Sequence, residues 1–246
     1  MKSIKEMTLK EKIGQLILPG FHGFEYDEHL RTLIEDYHVG NVILFTRNFE
    51  NAEQMKKLTT KIHEEIIKNT GVIPFIAIDQ EGGLVTRMMK DVTFAAGPMT
   101  SSSVSEQAVY DTGKMLAYDM IQLGMNLNLA PSLDVNNNPN NPVINVRSYS
   151  EDPDIVSEYV VEAVNGYSDA LMMSSIKHFP GHGDTAVDSH LGLPVVDFDE
   201  KRLYEMELKP FIKAKELDLP GIMVSHVMFT KYDDKYPSTL SKKVVQ

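Results

Sequence analysis

The sequence predicts an α/β fold, a TIM-type (β/α) barrel, because short apolar runs alternate with longer amphipathic stretches. Several runs are apolar almost throughout, as expected for parallel strands covered on both faces. Polar residues directly follow four of the runs, which is the layout of a barrel site at the carboxyl ends of its strands. No glycine-rich nucleotide-binding motif follows the first run, which disfavours an open doubly wound sheet.

Each predicted element follows from its local pattern. The predicted strands cover residues 15–18, 41–45, 75–78, 126–129, 172–176 and 221–225. The predicted helices cover residues 27–37, 51–68, 105–123, 153–168 and 199–217. In the second helix Met55, Leu58, Ile62 and Ile66 recur at helical spacing, and the last helix begins with an acidic turn.

The strand count falls short of a closed barrel. About six of eight strands are present, and 21 residues follow Ser225, whereas a strand-helix-strand unit takes about 30. No linker or repeat divides the chain. We therefore expect one catalytic domain over residues 1–246, a barrel that is incomplete at its C-terminal end.

Composition narrows the possible functions. The net charge of −11 argues against a nucleic-acid surface, and no apolar run is long enough to cross a bilayer. Cysteine is absent, which excludes disulfides and thiolate metal sites. The N-terminus has no secretory pattern, so a cytoplasmic protein with no nucleic-acid or membrane partner is expected.

Residues 177–190 concentrate more potential chemistry than any other part of the chain. This segment, the acid/base loop below, follows a predicted strand and contains three histidines, two aspartates and a lysine. Asp188 stands two residues before His190, close enough to orient the imidazole and raise its basicity. Lys177 would be costly to bury without a partner or ligand, which favours a role in a site.

A metal site is the alternative interpretation of the same loop. Its potential ligands are His178, His182, Asp184, Asp188 and His190. Pro180 and two glycines disfavour the helix that would align His178 with His182. We expect no metal and no cofactor, with a metal-dependent hydrolase kept as an alternative.

Other strand ends supply candidate ligands for a sugar. Asp79 opens the run Asp79-Gln80-Glu81-Gly82-Gly83, where a carboxylate could bind hydroxyls or cap the next helix. Arg87 and Arg147 are possible forks for a carboxylate or a pair of hydroxyls, or surface ion-pair partners. The asparagine-rich segment 136–142 is predicted to be a rim loop.

Together these motifs resemble glycoside hydrolase family 3, specifically its single-domain β-N-acetylhexosaminidases. The similarity runs from about Thr8 to the end of the chain. It is carried by Glu11-Lys12-Ile13-Gly14-Gln15-Leu16, Asp79-Gln80-Glu81-Gly82-Gly83, Asn145-Val146-Arg147-Ser148-Tyr149, Lys177-His178-Phe179-Pro180-Gly181-His182-Gly183-Asp184-Thr185 and Asp188-Ser189-His190.

The resemblance implies a (β/α)8 barrel and retaining hydrolysis of terminal β-linked N-acetylglucosamine, notably from peptidoglycan fragments. It implies that His190, oriented by Asp188, is the general acid/base, whereas most retaining enzymes pair two carboxyl groups. The residues implied to bind the sugar are Asp79, Arg87, Arg147, Lys177 and His178. The implied partner is a small saccharide, either a muropeptide containing N-acetylglucosamine or a chitooligosaccharide.

The chain departs from the family pattern at two places. Leu84 stands where the family usually has arginine after the glycine pair. The family's nucleophile is an aspartate in an Asp-Asp-Leu pattern after the seventh strand, and Asp233-Asp234 does not match that context. We therefore expect this polypeptide alone to be inactive and its open barrel edges to favour self-association.

Three alternatives stay open at this stage. A non-catalytic sugar-binding barrel would bind sugar without turnover, and a metallohydrolase would lose activity with a chelator. A phosphorylase variant is also conceivable, because a neutral histidine repels phosphate less than a carboxylate does.

Overall fold

Five parallel strands form the central sheet of the computed structural model, which describes residues 1–217 and 219–245. The strands are β1 (Asn41–Leu44), β2 (Phe75–Ile78), β3 (Leu127–Asn128), β4 (Met173–Phe179) and β6 (Gly221–Val224). They lie in the order β1-β2-β3-β4-β6. A separate parallel pair joins β5 (Val195–Val196) to β7 (Met228–Phe229).

Helices precede, connect and follow the strands. They are α1 (Leu9–Gln15), α2 (Glu28–Glu35), α3 (Ala52–Thr70), α4 (Pro98–Ser102), α5 (Glu106–Gln122), α6 (Pro153–Asp169), α7 (Glu200–Arg202), α8 (Lys209–Ala214) and α9 (Lys242–Val245). Side chains at their N-caps fix several starts, as where Asn51 accepts from Gln54 N and Ser105 from Ala108 N. The order of parallel strands and connecting helices confirms the α/β class.

Both faces of the sheet are apolar, as predicted from the unbroken strand runs. Along β1, Val42 and Leu44 belong to the main core with α2, α3 and α5, whereas Ile43 faces a smaller cluster with Ala77 and Leu127. This alternation is the two-residue period of a strand. The larger cluster fills the space between sheet and helices, and the smaller one lies on the other face of the sheet.

Five of the six predicted strands are confirmed, and the one at 15–18 is wrong. Gln15 is instead the last residue of α1, which begins with a capping box between Thr8 and Glu11. The chain reaches the sheet later, where Gly20 bridges Ile43 in parallel. Apolar residues at 16–18 gave a strand pattern that the helix-start signal overrides.

The predicted helix over 199–217 is interrupted. The segment consists of α7, a π-helical turn (Leu203–Glu207) and α8, which ends at Ala214. Pro210 stands in the first turn of α8, where its missing N–H is tolerated but a continuous helix is not.

The sheet is not closed within the described residues, since β1 and β6 each lie at one end of the strand order. Among the helices of the described chain, none is both long enough and apolar enough to cross a membrane.

Candidate functional site

A cleft of about 380 Å³ opens at the carboxyl ends of the strands. Six of the seven predicted site residues line it: Asp79, Arg87, Arg147, Lys177, His178 and His190. The seventh, Asp188, contacts His190. Ser225 and His226, which follow β6, also line the cleft. Parallel strands bring these distant segments together because their carboxyl ends all meet at one edge.

Lys177 lies at the floor of the cleft with only 1% of its surface exposed. Its Nζ is 2.7 Å from Asp79 Oδ1 and 2.6 Å from Glu81 Oε1. A buried ammonium is tolerated only when carboxylates replace its water. This pair of carboxylates is therefore the partner that a buried Lys177 requires. Asp79 lines the cleft and pairs with Lys177 instead of capping a helix.

Arg147 binds the same carboxylate, Glu81, through both of its oxygens. Its Nε and Nη2 donate to the two Glu81 oxygens at 2.9 and 2.8 Å, the fork geometry of a bidentate pair. Burial alone would raise the pKa of Glu81, but Lys177 and Arg147 outweigh it and lower that pKa to about 2. Glu81 is thus a fixed anion that holds two cations in the cleft.

Glu81 is a site residue that sequence reasoning missed. Its signal was its place two residues after Asp79 in the motif, combined with the two cations that needed a counter-charge. Gly82 and Gly83 adopt positive φ angles of 88° and 55°, which turn the chain sharply after it. A Cβ on Gly82 would lie 2.5 Å from the Ala96 carbonyl oxygen, so the tight turn needs glycine there.

Arg87 reaches the cleft from the segment after this turn. Gln80 Oε1 accepts from the Arg87 backbone N–H at 2.8 Å, which fixes the backbone. The guanidinium carbon lies 5.9 Å from the centre of the Phe45 ring. Among the described residues no carboxylate forms an ion pair with Arg87, so its charge faces the cleft uncompensated.

His178 lies beside Lys177 and rests on a carboxylate that the sequence did not assign to the site. Its Nδ1 is 2.5 Å from Asp134 Oδ2. Burial opposes ionisation of Asp134, but His178 outweighs it and keeps the pKa of this carboxyl well below its usual range. Asp134 follows β3. Its position near the end of a predicted strand was the only indication in the sequence that it belongs to the site.

Polar contacts fold the acid/base loop back onto the cleft. His182 is buried between Thr185 Oγ1, 2.7 Å from its Nδ1, and Ser189 Oγ, 3.1 Å from its Nε2. Burial lowers the pKa of His182. Asn141 Nδ2 donates to the carbonyls of His182 and Gly183, both at 2.8 Å. The predicted rim loop therefore also holds the acid/base loop in place.

His190 stands at the rim with 83% of its side chain exposed. Asp188 Oδ1 accepts from the His190 backbone N–H at 2.9 Å and contacts its Nδ1 at 2.8 Å. These bonds, the backbone one first, lower the pKa of Asp188. The Asp-x-His spacing thus produces the contact that was predicted, and His190 Nε2 has no hydrogen bond to the residues that the structure describes.

The five residues weighed as metal ligands do not form a ligand set. Asp134 and Thr185 contact the Nδ1 atoms of His178 and His182, and Asp184 pairs with Arg202 at 3.2 Å. Within residues 1–217 and 219–245, no group of three potential ligands has metal-binding geometry.

Two remaining sequence features lie outside the cleft lining. Leu84, in the position of the usual arginine, is largely exposed. Asp233 organises a local turn, where it accepts from the backbone N–H groups of Lys235 and Tyr236 and from Ser241 Oγ.

Sequence comparison assigns the chain to a family. The family described as glycosyl hydrolase family 3 N terminal domain matches residues 8–246. A beta-hexosaminidase A of Pseudoalteromonas piscicida is 40% identical over 212 residues, which are 83% of this chain and 36% of that protein. A beta-hexosaminidase of Alkalilimnicola ehrlichii is 34% identical over 236 residues, 93% of this chain and 66% of that protein.

Solved structures agree with the sequence match. A family 3 beta-N-acetylglucosaminidase from Paenibacillus sp. has a TM-score of 0.94 at 42% identity, covering 97% of this chain and 46% of that one. NagZ from Neisseria gonorrhoeae, in complex with N-trifluoroacetyl-D-glucosamine, has a TM-score of 0.86 at 30% identity, covering 94% of this chain and 68% of that one. The predicted TIM-type barrel class is confirmed, and the chain belongs to glycosyl hydrolase family 3.

Proposed function

We propose that this chain binds the terminal N-acetylglucosamine of a saccharide in its cleft, as part of a retaining β-N-acetylhexosaminidase. The supporting observation is the buried Lys177, held between Asp79 and Glu81 at the cleft floor with His190 at the rim. Such a set of fixed donors and acceptors matches the hydroxyl groups of one sugar ring. The names of the relatives support the same substrate.

In this proposal His190 acts as the general acid/base and Asp188 orients it. His190 Nδ1 is engaged in the hydrogen bond to Asp188, so Nε2 is the atom that exchanges a proton with the glycosidic oxygen and later with water. The exposed position of His190 suits a residue that meets the bond between the sugar and its leaving group. Asp79, Arg87, Arg147, Lys177 and His178 bind the sugar ring.

No described residue is proposed as the nucleophile. Asp79 is the only carboxylate lining the cleft in the described chain, and its pairing with Lys177 commits it to binding. Asp233 is occupied by its own turn. We therefore propose that the 246 residues by themselves bind the sugar without hydrolysing its bond.

Titration with N-acetylglucosamine, followed by amide NMR, tests sugar binding. We expect the sugar to shift resonances of cleft residues, and D79N to weaken binding at least about tenfold, because a charged hydrogen-bond partner is lost. The matched control is D169N, which alters an exposed carboxylate outside the cleft. Absence of any cleft shift in the folded wild type would refute the proposal.

Release of 4-nitrophenol from 4-nitrophenyl N-acetyl-β-glucosaminide tests the second half. The 246-residue protein should release none above background. Turnover near the rates of longer family members would show that a nucleophile is present among these residues. A phosphate-dependent release would favour phosphorolysis over hydrolysis.

The substrate, location and assembly belong to the same proposal. We propose that the substrate is a muropeptide or a chitooligosaccharide and that the protein acts in peptidoglycan recycling. We also propose that it acts in the cytoplasm, and cell fractionation would check this location. We further propose that residues 1–246 form one domain, expected to unfold in one cooperative transition. Because β6 ends the strand order, we also propose self-association through its open edge.

A further inference from the structure

Asp134 lies beneath the cleft floor and has contacts in two directions. Its side chain is fully buried. Oδ2 accepts from Ser132 Oγ at 2.8 Å and lies 2.5 Å from His178 Nδ1, while Oδ1 accepts from the His182 backbone N–H at 2.6 Å. One carboxylate therefore contacts both a cleft-lining histidine and the backbone of the acid/base loop.

We propose that Asp134 is a positioning residue that sets the tautomer of His178 and anchors the acid/base loop with the same carboxylate. The inference rests on the proposed function only for the statement that the group meeting His178 is a sugar hydroxyl. The tautomer and the anchoring follow from contacts within the chain.

The tautomer follows from which atoms have protons to give. The lowered pKa of Asp134 keeps it ionised near neutral pH, so both its oxygens only accept hydrogen bonds. His178 Nδ1 must then be the donor, whether the ring is neutral or charged. In the neutral ring Nε2 keeps its lone pair, and it has no protein partner within the described residues. It is thus able to accept from a hydroxyl in the cleft.

The second oxygen acts on the loop. Oδ1 holds the His182 N–H, and Asn141 holds the His182 carbonyl, so the peptide groups on both sides of this residue are fixed. His182 Nε2 in turn contacts Ser189, the residue immediately before His190. Asp134 therefore connects the sugar-facing histidine to the segment that carries the acid/base pair.

Nitrogen-15 NMR of the histidine rings in the sugar-free protein tests the tautomer. In the wild type we expect His178 Nδ1 to be protonated across the folded pH range. In D134N the amide oxygen still accepts from His182 N–H, which turns the amide NH2 towards His178 Nδ1. Since that nitrogen must then accept, the proton moves to Nε2 and the tautomer inverts.

S132A is the matched control, because it removes one donor to Asp134 but keeps both histidine contacts, and its His178 tautomer should be unchanged. We expect D134N to weaken N-acetylglucosamine binding about tenfold. Amide exchange at His182 should also become faster, because a neutral amide oxygen is a weaker acceptor than a carboxylate. A fall in affinity without the inversion would mark only a structural role and overturn the assignment.

The wild-type spectrum decides the question even if D134N fails to fold. A neutral His178 that has its proton on Nε2 would overturn the proposal without any variant. Failure of the proposed function looks different, since the tautomer would then be as assigned while no sugar shifts the cleft resonances.

Discussion

At the scale of single residues, the charges of Lys177, Arg147 and Glu81 are balanced by direct contact rather than by solvent. Lys177 and Arg147 share Glu81, and all three are shielded from water. Removing one member of such a group leaves a buried charge without its partner, which costs more than the intact pair contributes. The cleft geometry therefore depends on Glu81 remaining ionised.

We expect E81Q to destabilise the protein by about 3 kcal/mol near neutral pH, the free energy equivalent of lowering its pKa from 4.5 to about 2. A carboxyl with a lowered pKa in the folded state stabilises it fully above the unfolded pKa. That contribution is lost as the pH falls from about 4.5 to about 2. Urea unfolding of both proteins between neutral and acidic pH measures this difference.

E53Q provides the control for that experiment. Glu53 also pairs with a lysine, at 2.6 Å, but both side chains are largely exposed. Exposed pairs contribute little, so we expect almost no change at any pH. A difference between wild type and E81Q that stays constant down to pH 2 would contradict the role given to Glu81.

Two histidines of the acid/base loop, His182 and His190, should contribute differently to the stability of the protein although they lie only eight residues apart. We expect H190A to change the free energy of unfolding by less than about 0.5 kcal/mol, because the ring is mostly solvated. H182A should cost about 1–3 kcal/mol, because it removes a buried ring together with its contacts to Thr185 and Ser189. Thermal or denaturant unfolding compares them, and equal losses would contradict the difference in burial.

At the scale of elements, α5 and α6 pack closely enough that their contact requires glycine on both sides. A Cβ on Gly166 would lie 2.3 Å from the Tyr110 carbonyl oxygen, and one on Gly113 would lie 2.8 Å from that of Ala163. Backbone atoms of a packed helix cannot move aside as a side chain does. The pair of glycines thus sets the distance between these helices.

We expect G166A to destabilise the protein by about 1–3 kcal/mol despite the better helix propensity of alanine, because it overpacks this contact. S168A, at an exposed position of the same helix, is the control and should have little effect. Denaturant unfolding measures both. A G166A protein as stable as S168A would show that the two helices are able to separate at little cost.

At the scale of the whole molecule, the open end of the sheet is also apolar. Ile222 of β6 is 53% exposed, and β6 has no second neighbour among the described strands. An edge strand with exposed apolar side chains is a template for pairing with another chain. This is the surface on which the proposed self-association depends.

Sedimentation velocity over a range of concentrations tests this surface. We expect the wild type to associate as its concentration rises, and I222K to shift the distribution towards the monomer, because charge on an edge strand opposes pairing. I67K changes a partly exposed isoleucine on α3 and should not alter association. A wild type that is monomeric throughout would contradict the proposal.

Local patterns were sufficient for most of the elements. Runs such as 41–45 and 75–78 are apolar on both faces, and this reports burial directly, so β1 and β2 appear as predicted. The prediction failed where two local signals competed, as at Gln15, where the capping box of α1 prevailed. It also failed where Pro210 interrupted a helix whose periodicity continues.

By itself the sequence determined the α/β class, the loop with its Asp188–His190 pair, and six of the residues that line the cleft. Only the tertiary structure decided that Glu81 and Asp134 belong to the site. Their roles depend on partners 66 and 44 positions away in the chain, Arg147 and His178. Such pairings leave no local period or spacing, because they exist only once the parallel strands bring their carboxyl ends together.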